Sequence, residues 1–261
     1  MIGRVMLWGL AVVAALYAGV CALLFVYQRS LIYFPQPNAE LTGSAMMEVE
    51  TRDVTAVALT RQLPGPDAVL YFGGNGEDVS LDMPDLARVF PTHSIYLLNY
   101  PGYGGSPGMP SEQSIIDAAL ALFDQVHATH ANVVVIGRSL GSGVAVHLAS
   151  VRPVSRLVLV TPFDTFADPA AAAYRWFPVR LLLRDRFDSR RYAPQVTAPT
   201  RILIAAQDEI IPRASSERLA ARFRPGLVDT IVLPAVGHNS ISLSPDYWRL
   251  LASDAQQPHS R

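Results

Sequence analysis

The chain has 261 residues, enough for one sizeable domain and a short appendage, and a formal net charge of −1. Binding to phosphate backbones needs a clear basic surplus, so nucleic acid is excluded as a general partner. Half of the residues are apolar and only 16% are charged, below the roughly 25% of an average soluble domain. The one cysteine, Cys21, rules out an intrachain disulfide and leaves the redox compartment open.

Much of the apolar excess lies at the N-terminus. Residues 5–26, VMLWGLAVVAALYAGVCALLFV, carry no charge. As a helix the run covers about 33 Å, enough for a hydrocarbon core of about 30 Å. Arg4 and Arg29 flank it, and Trp8 and Tyr27 lie where interfacial aromatic anchors sit. A cleaved signal peptide has a shorter apolar run and small residues at its cleavage site. A lipoprotein reading at Cys21 fits poorly, because Val20 precedes the cysteine and Ala22, Leu23, Leu24 and Phe25 follow it. A buried core helix seldom lacks a polar face for so long. The reading is an uncleaved single-pass anchor over residues 1–28, in contact with the lipid bilayer through residues 5–26. A margin of one charge leans the N-terminus to the cytoplasm and the rest to the non-cytoplasmic face.

Residues 29–47 are expected to form a linker, residues 48–253 the domain, and residues 254–261 a frayed tail. Alternation over residues 47–60 predicts early antiparallel strands. Short apolar runs at 68–72, 94–98, 132–136, 156–160, 201–205 and 230–233 predict strands covered on both faces. Helices are predicted at 79–90, 112–129, 141–151, 214–223 and 247–253. The second has an apolar stripe through Ile115, Ala119, Leu122 and Val126, and Ser111 stands ready to cap it. This alternation implies an α/β fold, a mostly parallel sheet flanked by helices.

The chemistry centres on Gly137-Arg138-Ser139-Leu140-Gly141, between the run Val133-Val134-Val135-Ile136 and a predicted helix. A serine at such a strand–turn–helix junction stands exposed at the strand end, and the flanking glycines permit the tight turn. The same five-residue pattern recurs at Gly104-Gly105-Ser106-Pro107-Gly108, but Pro107 and Pro110 follow and no helix does. Context therefore selects Ser139 as nucleophile. Asp208, after the 201–205 strand, and His238, after the last strand, follow in the order nucleophile, acid, base. Glu209 and Asp164 remain substitute acids. His238 would take the serine proton and return it to the leaving group, with Asp208 fixing its tautomer. The oxyanion would need two backbone donors: the Leu140 amide, just past the nucleophile, and an amide of the loop 73–77, for which Asn75 is chosen. That Gly-rich loop is not a phosphate cradle of the Gly-Lys-Ser/Thr type, since the chain has no lysine. The set calls for no cofactor and no metal.

Three stretches carry a resemblance: Gly73-Gly74-Asn75-Gly76-Glu77-Asp78, Asn99-Tyr100-Pro101-Gly102-Tyr103 running on through Glu112, and Gly137 through Gly143. Together they resemble the membrane-anchored α/β-hydrolase-domain proteins, a family that includes protein depalmitoylases. The resemblance implies an α/β-hydrolase fold and hydrolysis of an acyl ester or thioester substrate. Where relatives often carry His-Gly-Asn, this chain has Gly73-Gly74-Asn75, so the backbone donor survives without a bracing histidine. The resemblance also frames residues 164–196 as a small cap, whose Trp176 to Leu183 stretch either covers an acyl chain or packs on the domain. Ser80, Tyr100 and Tyr103 are placed at the mouth. An amide- or peptide-cleaving hydrolase and a non-catalytic membrane-tethered binding module are the alternatives.

Overall fold

The computed structural model describes residues 2–39, 45–51 and 53–253, so the expected frayed tail lies outside the described residues. The first helix, α1 (Ile2–Ile32), is followed by the antiparallel pair β1 (Ala45–Glu50) and β2 (Thr55–Arg61). From there strand and helix alternate: β3 (Asp67–Phe72), α2 (Met83–Val89), β4 (Ser94–Asn99), α3 (Glu112–His127), β5 (Asn132–Arg138), α4 (Leu140–Val151) and β6 (Arg156–Val160). Three short helices, α5 (Ala167–Ala173), α6 (Val179–Leu182) and α7 (Ser189–Tyr192), precede β7 (Thr200–Ala205), α8 (Arg213–Ala220), β8 (Val228–Leu233) and α9 (Tyr247–Ala252).

The strands form one sheet in the order β1-β2-β4-β3-β5-β6-β7-β8. β2 runs antiparallel to β4, and the pairs from β4–β3 onward are parallel. The sheet is α/β-hydrolase-like in being mostly parallel, and its strands were legible because they are covered on both sides. Side chains alternate with period two. Leu70, Phe72, Val133, Val135, Leu157, Leu159, Ile202 and Ile204 join a core with α3, α4 and α8. Val69, Tyr71, Val134, Ile136, Val158, Val160 and Leu203 join a second core with α2 and α9. The register aligns the carboxyl ends: Phe72 lies opposite Gly137, Arg138 opposite Val160, and Ala205 opposite Leu233. Every loop leaving those ends emerges along one edge of the sheet, where ligands of open α/β sheets bind.

Two boundaries differ from expectation. The helix does not stop at residue 28 but continues through Ile32, because no helix breaker occurs before Pro35 and its last turn is docked. The expected linker 29–47 thus begins in helix and ends inside β1. Ser111 caps α3 as expected, its hydroxyl accepting from the Ser114 amide at 3.1 Å while Ser114 Oγ accepts from the Ser111 amide at 3.0 Å.

Candidate active site

Ser139 sits in the turn between β5 and α4 with φ 49° and ψ −114°, a backbone conformation costly for a residue with a Cβ. Thr161, at the end of the neighbouring β6, is also left-handed (φ 45°). The Ser139 amide donates to Val160 O at 2.9 Å, tying the two together. The flanking glycines are needed for space. A Cβ on Gly141 would overlap the Phe72 carbonyl, and one on Gly137 would overlap the Gly141 carbonyl and press on Ala145. Helix α4 therefore packs directly against the ends of β3 and β5, with the serine hydroxyl left over the sheet edge.

His238 lies in the loop after β8, 4% exposed. Its Nε2 is 2.8 Å from Ser139 Oγ, and its Nδ1 is 2.9 Å from Asp208 Oδ2 and 3.1 Å from Oδ1. The structure thus brings Ser139, His238 and Asp208 into one hydrogen-bonded line. Asp208 is held by the amides of Ile210 (2.9 Å) and Ile211 (2.7 Å), which donate to its Oδ1. The substitute acids are employed elsewhere. Glu209 accepts from the His238 amide at 3.1 Å and so holds the histidine loop by its backbone. Asp164 accepts from Arg218 at 2.8 Å and from Ser215 Oγ at 2.7 Å, linking β6's exit loop to α8. Burial would raise its pKa, but the hydrogen bonds from Arg218 and Ser215 outweigh burial and hold it below the ordinary value. The second serine pattern is structural: Ser106 is buried, accepts from the Val57 amide at 2.8 Å and donates to Asn99 O at 2.9 Å.

The loop after β3 lies over the serine. A Cβ on Gly74 would sit 3.5 Å from Ser139 Cβ. Two of its amides are spoken for: Gly74 donates to Glu77 Oε2 at 2.7 Å, and Glu77 donates to Gly74 O at 3.4 Å. Among the described residues, the amides of Asn75 and of Leu140, first residue of α4, make no hydrogen bond. These are the amides for which the sequence raises the expectation of an oxyanion role. The Asn75 side chain faces away from the serine and clamps the end of α1. Its Nδ2 donates to Ile32 O, and its Oδ1 accepts from the Phe34 amide (3.1 Å) and the Tyr103 hydroxyl (2.8 Å). Tyr100 donates to Gly73 O at 2.8 Å, and Ser80 Oγ donates to Asp78 at 2.6 Å. Ser80, Tyr100 and Tyr103 are therefore buried braces of this region, not residues lining an open mouth.

Sequence reasoning missed the buried ionic support under the loop. Glu77 accepts from Tyr71 Oη (2.5 Å) and pairs with Arg138 (2.9 Å), the residue just before the serine. The only signals were Glu77 three residues after Gly74, and an arginine inside the elbow. Beside Glu77 sits Asp82, whose carboxyl is pushed up to about 8 by burial and then by the Glu77 charge. An unfolded aspartate titrates near pH 4, so the stability held by this group is complete below about pH 4 and is lost as pH rises through 8. Asp82→Asn is accordingly expected to unfold at a higher temperature than wild type at pH 8.5 and to flatten the decline between pH 5 and 8.5. Parallel melting curves for the two proteins would assign the retained proton elsewhere.

The segment between β6 and β7 meets α1. Tyr17 stacks on Phe177 with ring centres 5.9 Å apart and donates to Trp176 O at 2.9 Å. Lower down, Gln28 accepts from the Arg184 amide (2.7 Å), and Arg29 and Tyr33 both bond Asp185 (3.0 and 3.1 Å). Trp176 is 75% exposed and Leu181 82%, so these two point outward, whereas Leu183 is buried. The apolar stretch is thus split between two faces.

Comparison with known proteins agrees with the fold. Residues 67–194 match the family model described as alpha/beta hydrolase fold. The chain is 36% identical over 250 residues to an uncharacterized protein of Mycobacterium tuberculosis, covering 89% of this chain and 88% of that one. It is 27% identical over 260 residues to protein bem46 of Schizosaccharomyces pombe, covering 88% and 86%. Among solved structures, the esterase Pf2001 of Pyrococcus furiosus superposes with a TM-score of 0.70 at 16% identity, over 84% of this chain and 97% of that one.

Proposed function

The chain belongs to the α/β-hydrolase family, and we propose that it is a membrane-anchored serine hydrolase that cleaves a carboxylic ester or thioester. The observation that carries this reading is the line from Ser139 Oγ through His238 to Asp208, with spacings of 2.8 and 2.9 Å, at the carboxyl edge of the sheet. Asp208, already accepting two amides, accepts Nδ1–H from His238, which leaves Nε2 as the acceptor facing the serine. Ser139 Oγ attacks the acyl carbon and its proton passes to Nε2. The carbonyl oxygen becomes an oxyanion between the amides of Asn75 and Leu140, where two preset donors are worth more than in water. Collapse breaks the C–O or C–S bond, and the imidazolium returns the proton to the departing alcohol or thiol. Water then attacks the acyl-serine with His238 again as base, releasing the acid and the free serine.

The anchor reading is supported by α1 itself: among the described residues it is the helix long and apolar enough to cross a membrane. Its contacts with residues 176–177 also favour a helix retained in the mature protein, since cleavage beyond residue 17 would strip Tyr17 from Trp176 and Phe177. The bilayer would then hold the site close to acyl substrates dissolved in it. The hydrolase reading is tested by treating the full chain with a fluorophosphonate and mapping the labelled peptide. Label on Ser139 is expected; an unlabelled chain, or label elsewhere, contradicts it.

A further inference from the structure

A groove runs between the C-terminal half of α1 and the segment that joins β6 to β7. Leu24, Leu31 and Ile32 form one wall, and Phe177, Val179 and Leu182 stand in the other. We infer that this groove is an acyl-chain site built jointly by the anchor helix and that segment, entered sideways from the lipid. The acyl tail of a bilayer-resident ester or thioester would occupy it while the carbonyl sits at Ser139. The inference rests on the serine-hydrolase reading and on α1 crossing a bilayer.

Four observations point to this occupant. First, the lining is apolar apart from Gln28 and the Tyr174 hydroxyl, and the Gln28 amide is consumed: it donates to Phe25 O (2.8 Å) and Leu182 O (3.2 Å) and accepts from the Arg184 amide. The walls therefore offer a hydrocarbon chain shelter and a polar ligand little beyond the Tyr174 hydroxyl. Second, the groove starts at Leu24, inside the charge-free run of residues 5–26, and so opens where lipid tails would be. Third, it ends at Ile32, about 12 Å further along the helix axis, and the Ile32 carbonyl is held by Asn75 of the loop over Ser139. Ser139 itself is not in the lining; the link to the site passes through Ile32 and Asn75.

The fourth observation concerns what keeps the two walls apart. The helix is pinned to the segment above the groove by the Tyr17–Phe177 stack and alongside its lower half by the Arg29–Asp185 pair. Between those two struts Leu24 is half-buried while its neighbours Leu23 and Phe25 are exposed. A helix serving as a tether alone needs no such struts. Trp176 and Leu181 are largely exposed and are absent from the lining.

The test uses the full chain in vesicles of phosphatidylcholine and phosphatidylglycerol, treated with a decyl fluorophosphonate bearing a diazirine at the chain end. After reaction and illumination, peptides are mapped for both the phosphonyl and the photochemical adduct. Phosphonylated Ser139 with cross-links in residues 20–32 of α1 is the expected result. Phosphonylated Ser139 with cross-links confined to other parts of the chain overturns the inference and leaves the hydrolase reading standing. An unmodified Ser139 removes the hydrolase reading, and this inference with it. As a second measurement, Leu24→Trp should narrow the groove from the helix side. The ratio of labelling rates for decyl and ethyl fluorophosphonates is expected to fall about tenfold or more, the scale on which a filled pocket discriminates. An unchanged ratio in a folded Leu24→Trp protein also overturns it.

Discussion

Ser139→Ala is expected to lower kcat on an activated ester by about 10⁶-fold, the scale seen when the nucleophile of a triad is removed elsewhere. The change deletes one atom, Oγ, which lies 2.8 Å from His238 Nε2. Alanine keeps the Cβ that the turn already accommodates at φ 49°, and the amide bond to Val160 O is untouched, so the fold should persist. What remains is the residual effect of the oxyanion donors and substrate binding. Ser106→Ala is the informative contrast, since it sits in the same five-residue pattern. That hydroxyl joins Val57 N to Asn99 O in a buried position, and its loss should cost about 1–3 kcal/mol of stability. Its kcat should stay close to wild type. Steady-state rates and melting temperatures for the two variants decide the matter, and substantial turnover by Ser139→Ala would remove the nucleophile assignment.

Asp208→Asn is expected to cost about 10⁴-fold in kcat, as the wrong histidine tautomer does in serine proteases. The asparagine oxygen can still accept from Ile210 and Ile211, so the loop should hold its shape. Its Nδ2 would then face His238 Nδ1, forcing that nitrogen to accept and placing the ring proton on Nε2, where the serine proton must go. Asp164→Asn should reverse the pattern, with kcat retained and stability lost through Arg218 and Ser215. Because Asp164 is held below its ordinary pKa, its contribution is present at neutral pH and lost as pH falls through the folded value. The stability gap between wild type and Asp164→Asn should therefore be wide at pH 7 and close in acid. A greater kcat loss in Asp164→Asn than in Asp208→Asn would reassign the acid.

The candidate site was legible where its chemistry imposes local rules. A serine in a strand-to-helix turn needs small neighbours, and Gly137 and Gly141 are small because Phe72 and Ala145 fill the space a Cβ would need. Buried parallel strands need continuous apolar runs, and these gave the sheet within a residue or two. What stayed hidden depends on contacts between residues far apart in the chain, which leave no periodicity. Asn75 meets Ile32 across 43 positions, and Arg29 meets Asp185 across 156. For that reason the end of α1 read as a linker, and Tyr103 read as part of a mouth instead of a brace on Asn75. The choice among Asp208, Glu209 and Asp164 was undecidable from order alone, since all three follow strands at the same sheet edge. Only the direction of each carboxylate separates them: toward His238 Nδ1, toward the His238 amide, and toward Arg218.

The central claim is that catalysis runs through an ester of Ser139. The measurement that meets it most directly is rapid quenching of the full chain with a p-nitrophenyl medium-chain ester, followed by mass analysis of the peptide containing residues 137–143. A transient acyl adduct on Ser139, formed in step with the burst of p-nitrophenol and absent in Ser139→Ala, is the predicted result. Turnover with no acylated peptide at any time, and with Ser139→Ala as active as wild type, would contradict it.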